Sequence, residues 1–412
     1  MIHYEHFQLD NGLQVYVHQD KSTPMAAVNI VYNVGSKDES EDKTGFAHLF
    51  EHLMFGGSAN IPSYDEPVQL VGGQNNAFTS PDLTNYYITL PAENLETAFW
   101  LESDRMKSLS FDPKVLEVQR KVVIEEFKQR YLNQPYGDVW LKLRPLAYTT
   151  HPYRWATIGK EIRHIEEAVM QDVKDFFFKF YLPNNATLVV AGNVTTKQVK
   201  ELAEKWFGPI QPGEKYERNI PQEPAQTAAR FSETSAKVPL SAIYKTYHMP
   251  GKYDDDFYDA DLISDVLGRS KSSRLYQSLV KEQKLFSSIN AYVTASVDPG
   301  LLIVSGNLNK GIAPEQGNEA IELIVKEIAE EKIAASELEK VKNQAESSHD
   351  FSQVELLNRA MSIAFAANHG DASLCNADTQ KLAKVTPESL NLMAKKIMQP
   401  ENCSTLFYNS NM

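Results

Sequence analysis

His48 and His52 stand four residues apart, with Glu51 between them, in a stretch (residues 45–55) that has no internal glycine or proline. On a helix such positions project from one face a turn apart, so two imidazoles can reach one ion. Neutral imidazole nitrogens bind zinc at about 2.0–2.1 Å, and a catalytic zinc site takes three protein ligands and a water. Glu51 borders the same face and is placed to hydrogen-bond that water rather than to bind the ion. Zinc lowers the pKa of a bound water toward about 7, and a nearby carboxylate can take its proton as it attacks a carbonyl. The chemistry implied is zinc-dependent hydrolysis with Glu51 as general base. A lone helical histidine, such as His164 or His369, reads as an ordinary core or surface residue. H-x-x-E-H as a unit arises by chance on the order of once in a hundred such sequences, so it carries weight.

A third ligand is needed, and the helix expected over residues 115–130 offers the neighbours Glu125 and Glu126. Helical geometry separates them. Glu125 shares a stripe with Lys121 and Gln129, the pattern of a solvated pair. Glu126 shares one with Gln119, Val122, Val123 and Arg130, a partly apolar face better suited to a buried ion. Glu126 is the expected ligand, giving one zinc per chain held by His48, His52 and Glu126.

These residues must be positioned by the rest of the chain. Its 412 residues are too many for one ordinary core and suit two domains of about 200 residues each. Hydrophobic residues make up 42% and charged residues 23%, the composition of a globular protein. No apolar run reaches the ~18 residues of a membrane span, and a net charge of −13 argues against a nucleic-acid surface. Two cysteines, Cys375 and Cys403, cannot build a disulfide framework and read as ordinary thiols. The first residues lack a basic n-region and apolar h-region, so the expected location is cytoplasmic, or periplasmic if a signal peptide has been removed.

A twofold repetition runs through the chain. AAVNIVY before Asn33 reads as a strand with the apolar/polar alternation of a half-buried sheet, and AIYKTY at residues 242–247 does the same. Each is followed by a Gly- and acid-containing turn and an apolar-periodic helix. YYITL at 86–90 matches LLIVS at 301–305, each preceding a long amphipathic helix (residues 92–109 and 314–331). TLVV at 187–190 matches STLF at 404–407. The fold class expected is α+β: two homologous domains related by a pseudo-twofold, each a mostly antiparallel sheet packed with helices. Residues 1–212 form the metal-bearing domain and 231–412 its homologue. The linker, 213–230, is rich in Pro, Gly, Glu and Gln without periodicity.

With these residues in view, the sequence resembles the inverted-zincin peptidases, the family of pitrilysin, insulin-degrading enzyme and the mitochondrial processing peptidase. Their signature is H-x-x-E-H followed some seventy residues later by a Glu ligand, and His48, Glu51, His52 and Glu126 fall on it. The likeness extends over Gly72-Gly73-Gln74-Asn75-Asn76-Ala77-Phe78-Thr79, Asp82, Thr84, Tyr86 and Asn133-Gln134-Pro135-Tyr136-Gly137, and more weakly over Ser272-Ser273-Arg274-Leu275-Tyr276. It implies that Asn76, Ala77 and Phe78 belong to an edge strand whose backbone pairs with an extended substrate.

Two departures qualify the resemblance. Gln119-Arg120 stands where the family often has Glu-Arg. The family's second half also carries an Arg and, seven residues on, a Tyr, where this chain has Val280 and Ser287; neither can hold substrate carbonyl oxygens. No histidine lies between His248 and His349, and Ser348 stands where the repeat would place a Glu ligand. The reading is a zinc-dependent endopeptidase acting on short or unfolded peptides in a closed chamber. For full activity it would need a partner, as a homo-dimer or with a homologous chain carrying the Arg/Tyr pair. The alternative is a catalytically weak or silent structural or binding subunit of a processing-peptidase-like complex.

Overall fold

The computed structural model describes residues 1–331 and 333–412. Two sheets organise the chain. The first runs β1 (Glu5–Gln8), β2 (Gln14–Gln19), β6 (Ala186–Gly192), β3 (Met25–Tyr32), β5 (Thr84–Pro91), β4 (Gln74–Thr79) in spatial order. The second runs β7 (Arg230–Ala236), β11 (Cys403–Ser410), β8 (Ala242–Met249), β10 (Gly300–Leu308), β9 (Phe286–Val293). Apart from β1, the two orders coincide, including the single parallel pair in each: β2 with β6, and β7 with β11. All remaining pairs are antiparallel. The repeat expected from AAVNIVY/AIYKTY, YYITL/LLIVS and TLVV/STLF is therefore a repeat of strand order, and the fold is α+β.

The contact units depart from the simple division at residues 213–230. One comprises Met1–Lys128, Trp155–Ile220 and Asp350–Ala377; the other comprises Gln129–Arg154, Pro221–His349 and Asp378–Met412. Each half of the sequence lends one segment to the other unit. The physical reason is burial. Helix Leu356–His369 places Ala360, Ile363 and Ala364 against Ala27, Val31, Val189 and Ala191 of β3 and β6. Helix Val139–Ala147 places Val139 and Leu143 against Val238, Ala242 and Leu406. Periodicity reveals that a helix has an apolar stripe, but not which sheet the stripe covers.

The same exchange corrects the reading of β3 as half-buried. From Ala26 to Tyr32 every residue is buried: helix Leu356–His369 covers Ala27 and Val31 on one face, and Tyr32 on the other packs against Tyr86 and Tyr181. The interdomain stretch is also pinned rather than loose. Arg218 forms a bidentate pair with Asp38 at 2.8–2.9 Å, and the Glu223 carboxylate accepts the amides of Thr149, Thr150 and His151 at 2.8 Å. Among the described residues no helix is long and apolar enough to cross a membrane.

Candidate metal centre

The helix Phe46–Leu53 is only eight residues long, too short to persist alone in water. Its sequence sorts cleanly: Phe46, Ala47, Leu49, Phe50 and Leu53 are buried, while His48, Glu51 and His52 occupy the half-buried face. The first turn is held by a carboxyl group from outside the helix. Glu39 accepts the amide of Gly45 at 3.0 Å and that of Ala47 at 2.8 Å, meeting donors that a helix start leaves free. Gly45 precedes the helix at φ +87°, where a Cβ would lie 2.7 Å from the Ile158 carbonyl oxygen. Only glycine suits that junction.

Helix Pro113–Phe127, started by Asp112 accepting the Lys114 amide, supplies the third group. Glu126 Oε2 lies 3.7 Å from His48 Nε2 and 3.5 Å from His52 Nε2. One donor atom from each of the three residues falls within 4.8 Å of the others. Two donors on one tetrahedral zinc, each about 2.1 Å from it, stand about 3.4 Å apart, so this spacing and this donor chemistry fit a zinc ion. Glu125 points away and pairs with Lys128 at 2.7 Å on the exposed side. The helical argument that separated the two glutamates thus matches their positions.

Glu51 is held separately. The Thr79 hydroxyl donates to its Oε2 at 2.7 Å from the end of β4. Burial raises the Glu51 pKa above the ordinary carboxylate value; the Thr79 bond and His52 oppose the rise, and the charge of Glu126 adds to it. Neither Glu39 nor Thr79 was assigned a role from the sequence. Thr79 could have been noticed, since alternation puts residues 75, 77 and 79 on one face of a strand beside the helix. Nothing local marks Glu39.

Asn76, Ala77 and Phe78 lie on β4, which among the described residues pairs with β5 alone and forms the sheet edge. Ala77 is buried, Asn76 exposed, and Phe78 is 37% exposed with its ring edge-on to Phe365. In the second unit, Val280 packs against the core and the Ser287 hydroxyl donates to the Asn307 carbonyl at 3.1 Å. Arg274 is engaged by Glu337 in a bidentate pair at 2.8–3.1 Å, which makes it a packing group.

Residues 14–148 match the insulinase family, peptidase family M16, and residues 168–345 match the peptidase M16 inactive domain. Zinc protease PqqE of Helicobacter pylori is 31% identical over 347 residues, covering 82% of this chain and 78% of that protein. The chain belongs to peptidase family M16. A crystal structure of a protease from Helicobacter pylori superposes with a TM-score of 0.93 at 28% identity, covering 99% of this chain and all of that one. The periplasmic protease PqqL of Escherichia coli shares the fold at a TM-score of 0.82 and 19% identity. There the match takes in 99% of this M16 chain but only 48% of PqqL.

Proposed function

We propose that the chain is a zinc-dependent endopeptidase in which His48, His52 and Glu126 hold the ion and Glu51 is the general base. The observation that carries this reading is the convergence of two imidazoles and one carboxylate within 4.8 Å, with Glu51 on the same helix held by Thr79. Zinc, when bound, lowers the pKa of a coordinated water and polarises the substrate carbonyl. Glu51 accepts the proton of the attacking water and returns it to the leaving amine. The Thr79 hydroxyl occupies Oε2, which leaves Oε1 for that exchange. The open edge of β4 pairs with an extended peptide through its main chain at Asn76, Ala77 and Phe78. That favours short or unfolded substrates.

Full activity requires a second chain. The chain's own second unit offers Val280 and Ser287 where a donor pair is needed to hold substrate carbonyls. The same two residues favour a second reading, a weak or silent subunit, which a family match to an inactive domain also suits.

Zinc analysis together with cleavage of a quenched peptide separates the readings. Wild-type protein should hold about one zinc per chain, and Glu51→Gln should keep it while losing activity by roughly 10²–10⁴-fold. Zinc loss in parallel with activity would make Glu51 a ligand. Zinc without cleavage under any pairing would leave the silent subunit.

A further inference from the structure

The second unit contains a cavity of about 460 Å³, a volume suited to a small organic ligand. It opens between β8 and β11 on one side and helices Pro314–Glu330 and Pro387–Ile397 on the other.

Its floor is polar where a sheet facing helices is expected to be apolar. Lys245, only 2% exposed, projects from β8 and donates to Asn318 at 2.6 Å, Glu322 at 3.0 Å and Thr405 at 3.1 Å. Beside it lie the buried Tyr247 hydroxyl and the Cys403 thiol, which is 3.5 Å from the Thr405 hydroxyl. A buried, fully bonded charge gives little stability compared with an apolar replacement, so its placement against an open cavity calls for a second reason.

The remaining walls set the ligand class. Val325, Ala329 and Met398 line an apolar slot. The charged lining is Lys245, Lys326 and Lys395 against Glu322 and Glu330; Lys245 pairs with Glu322 at 3.0 Å and Lys326 with Glu330 at 3.8 Å, which leaves the excess positive charge at Lys395. An apolar body with a single negative charge complements both features. We propose that this cavity binds a small amphipathic carboxylate, with its alkyl body in the slot and its carboxylate at Lys395 on the rim. The site lies wholly in the unit without the metal cluster and does not depend on the peptidase reading.

The test is calorimetric titration of the full chain with hexanoate, octanoate, octylamine and octanol, below their aggregation limits. Octanoate should bind saturably, about tenfold or more tighter than octylamine or octanol. Each fully buried methylene should tighten binding about fourfold from hexanoate to octanoate. Octanoate should also slow maleimide labelling of Cys403 while leaving that of Cys375, in the other unit, unchanged. Ala329→Trp, which fills the slot, should lose octanoate binding with far-UV circular dichroism intact. If that variant does not fold, the exposed Lys395→Glu decides: it should weaken octanoate relative to octylamine. Equal binding of octanoate and octylamine, absence of saturation, or undiminished binding by a folded Ala329→Trp would overturn the proposal.

Discussion

The Thr79 hydroxyl donates to Glu51 Oε2 at 2.7 Å, joining the edge strand β4 to the helix that carries the two histidines. One residue on from Phe78, the strand proposed to hold substrate thereby also fixes the side chain proposed to take the water's proton. The rotamer of Glu51 then depends on the seating of β4, a geometric link that a loop-borne base would lack.

Removing that bond should slow catalysis without removing metal. A hydrogen bond to a charged group is worth about 1.5–3 kcal/mol, so Thr79→Val should lower kcat about tenfold to a hundredfold. Thr79→Ser, which restores the hydroxyl, should recover most of the rate. Zinc content should stay at the wild-type level in both. An unchanged kcat in Thr79→Val would show that Glu51 finds its working position unaided.

The two neighbouring glutamates make a ligand test. Glu126 faces both imidazoles, whereas Glu125 pairs with Lys128 on the exposed side. Glu126→Gln should weaken zinc affinity by at least an order of magnitude, and Glu125→Gln should leave it within about twofold. Competition against a colorimetric chelator reads both. Equal affinities for the two variants would remove Glu126 from the metal centre.

Glu39 gives a pH dependence. Burial pushes its carboxyl from an ordinary value of 4.5 up to about 8, against the opposing pull of the Ala47 and Gly45 amides. Between those limits the folded protein binds more protons at this site than the unfolded chain does. Stability from Glu39 is therefore fully present below pH 4.5 and is lost as pH rises toward 8. The loss is of the order of a few kcal/mol. Glu39→Gln, which keeps an acceptor for one of the two amides and does not titrate, should flatten this slope. Urea unfolding at intervals from pH 5 to 9 measures it, and parallel wild-type and variant curves would show that Glu39 is ionised throughout.

What the sequence revealed, and what it hid, follows from how local each signal is. The spacing of His48, Glu51 and His52 and the choice of Glu126 over Glu125 are matters of one helix turn, so periodicity alone carries them. The strand repeat is legible because three strand pairs recur in order, and the shared five-strand order of the two sheets follows it. Glu39, six residues before Gly45, acts through a turn that no pattern encodes. Helix Leu356–His369 shows an apolar stripe, but its sequence does not say that β3 and β6 of the other half lie beneath it. That one hidden contact is why β3 reads as half-buried in sequence and is buried on both faces in the fold. Val280 is a further case: its position along the chain marks it only as the place where the family has Arg, and nothing local says that it packs against the core of its unit.

The last prediction concerns the partner, and Val280 sharpens it. If Val280 and Ser287 merely stood in for a missing Arg and Tyr, restoring the pair in this chain would restore the grip on substrate. Val280, however, packs against the core of its unit, and an arginine there would have to leave that packing or bury its charge. Ser287 is exposed on edge strand β9 and would accept tyrosine. Ser287→Tyr should therefore fold normally and leave the isolated chain a poor peptidase. Val280→Arg with Ser287→Tyr should lower the unfolding midpoint without rescuing turnover. Loss of one donor to developing oxyanion charge commonly costs ~10²–10³-fold, so a homologous chain that supplies Arg and Tyr should raise peptide cleavage at least tenfold. The two chains should also co-elute in gel filtration. Quenched-peptide assays of the chain alone, of the double variant and of the mixed pair decide the matter. High turnover by the chain alone would end the case for a partner, and rescue by the double variant would show that Val280 sits less firmly than its packing implies.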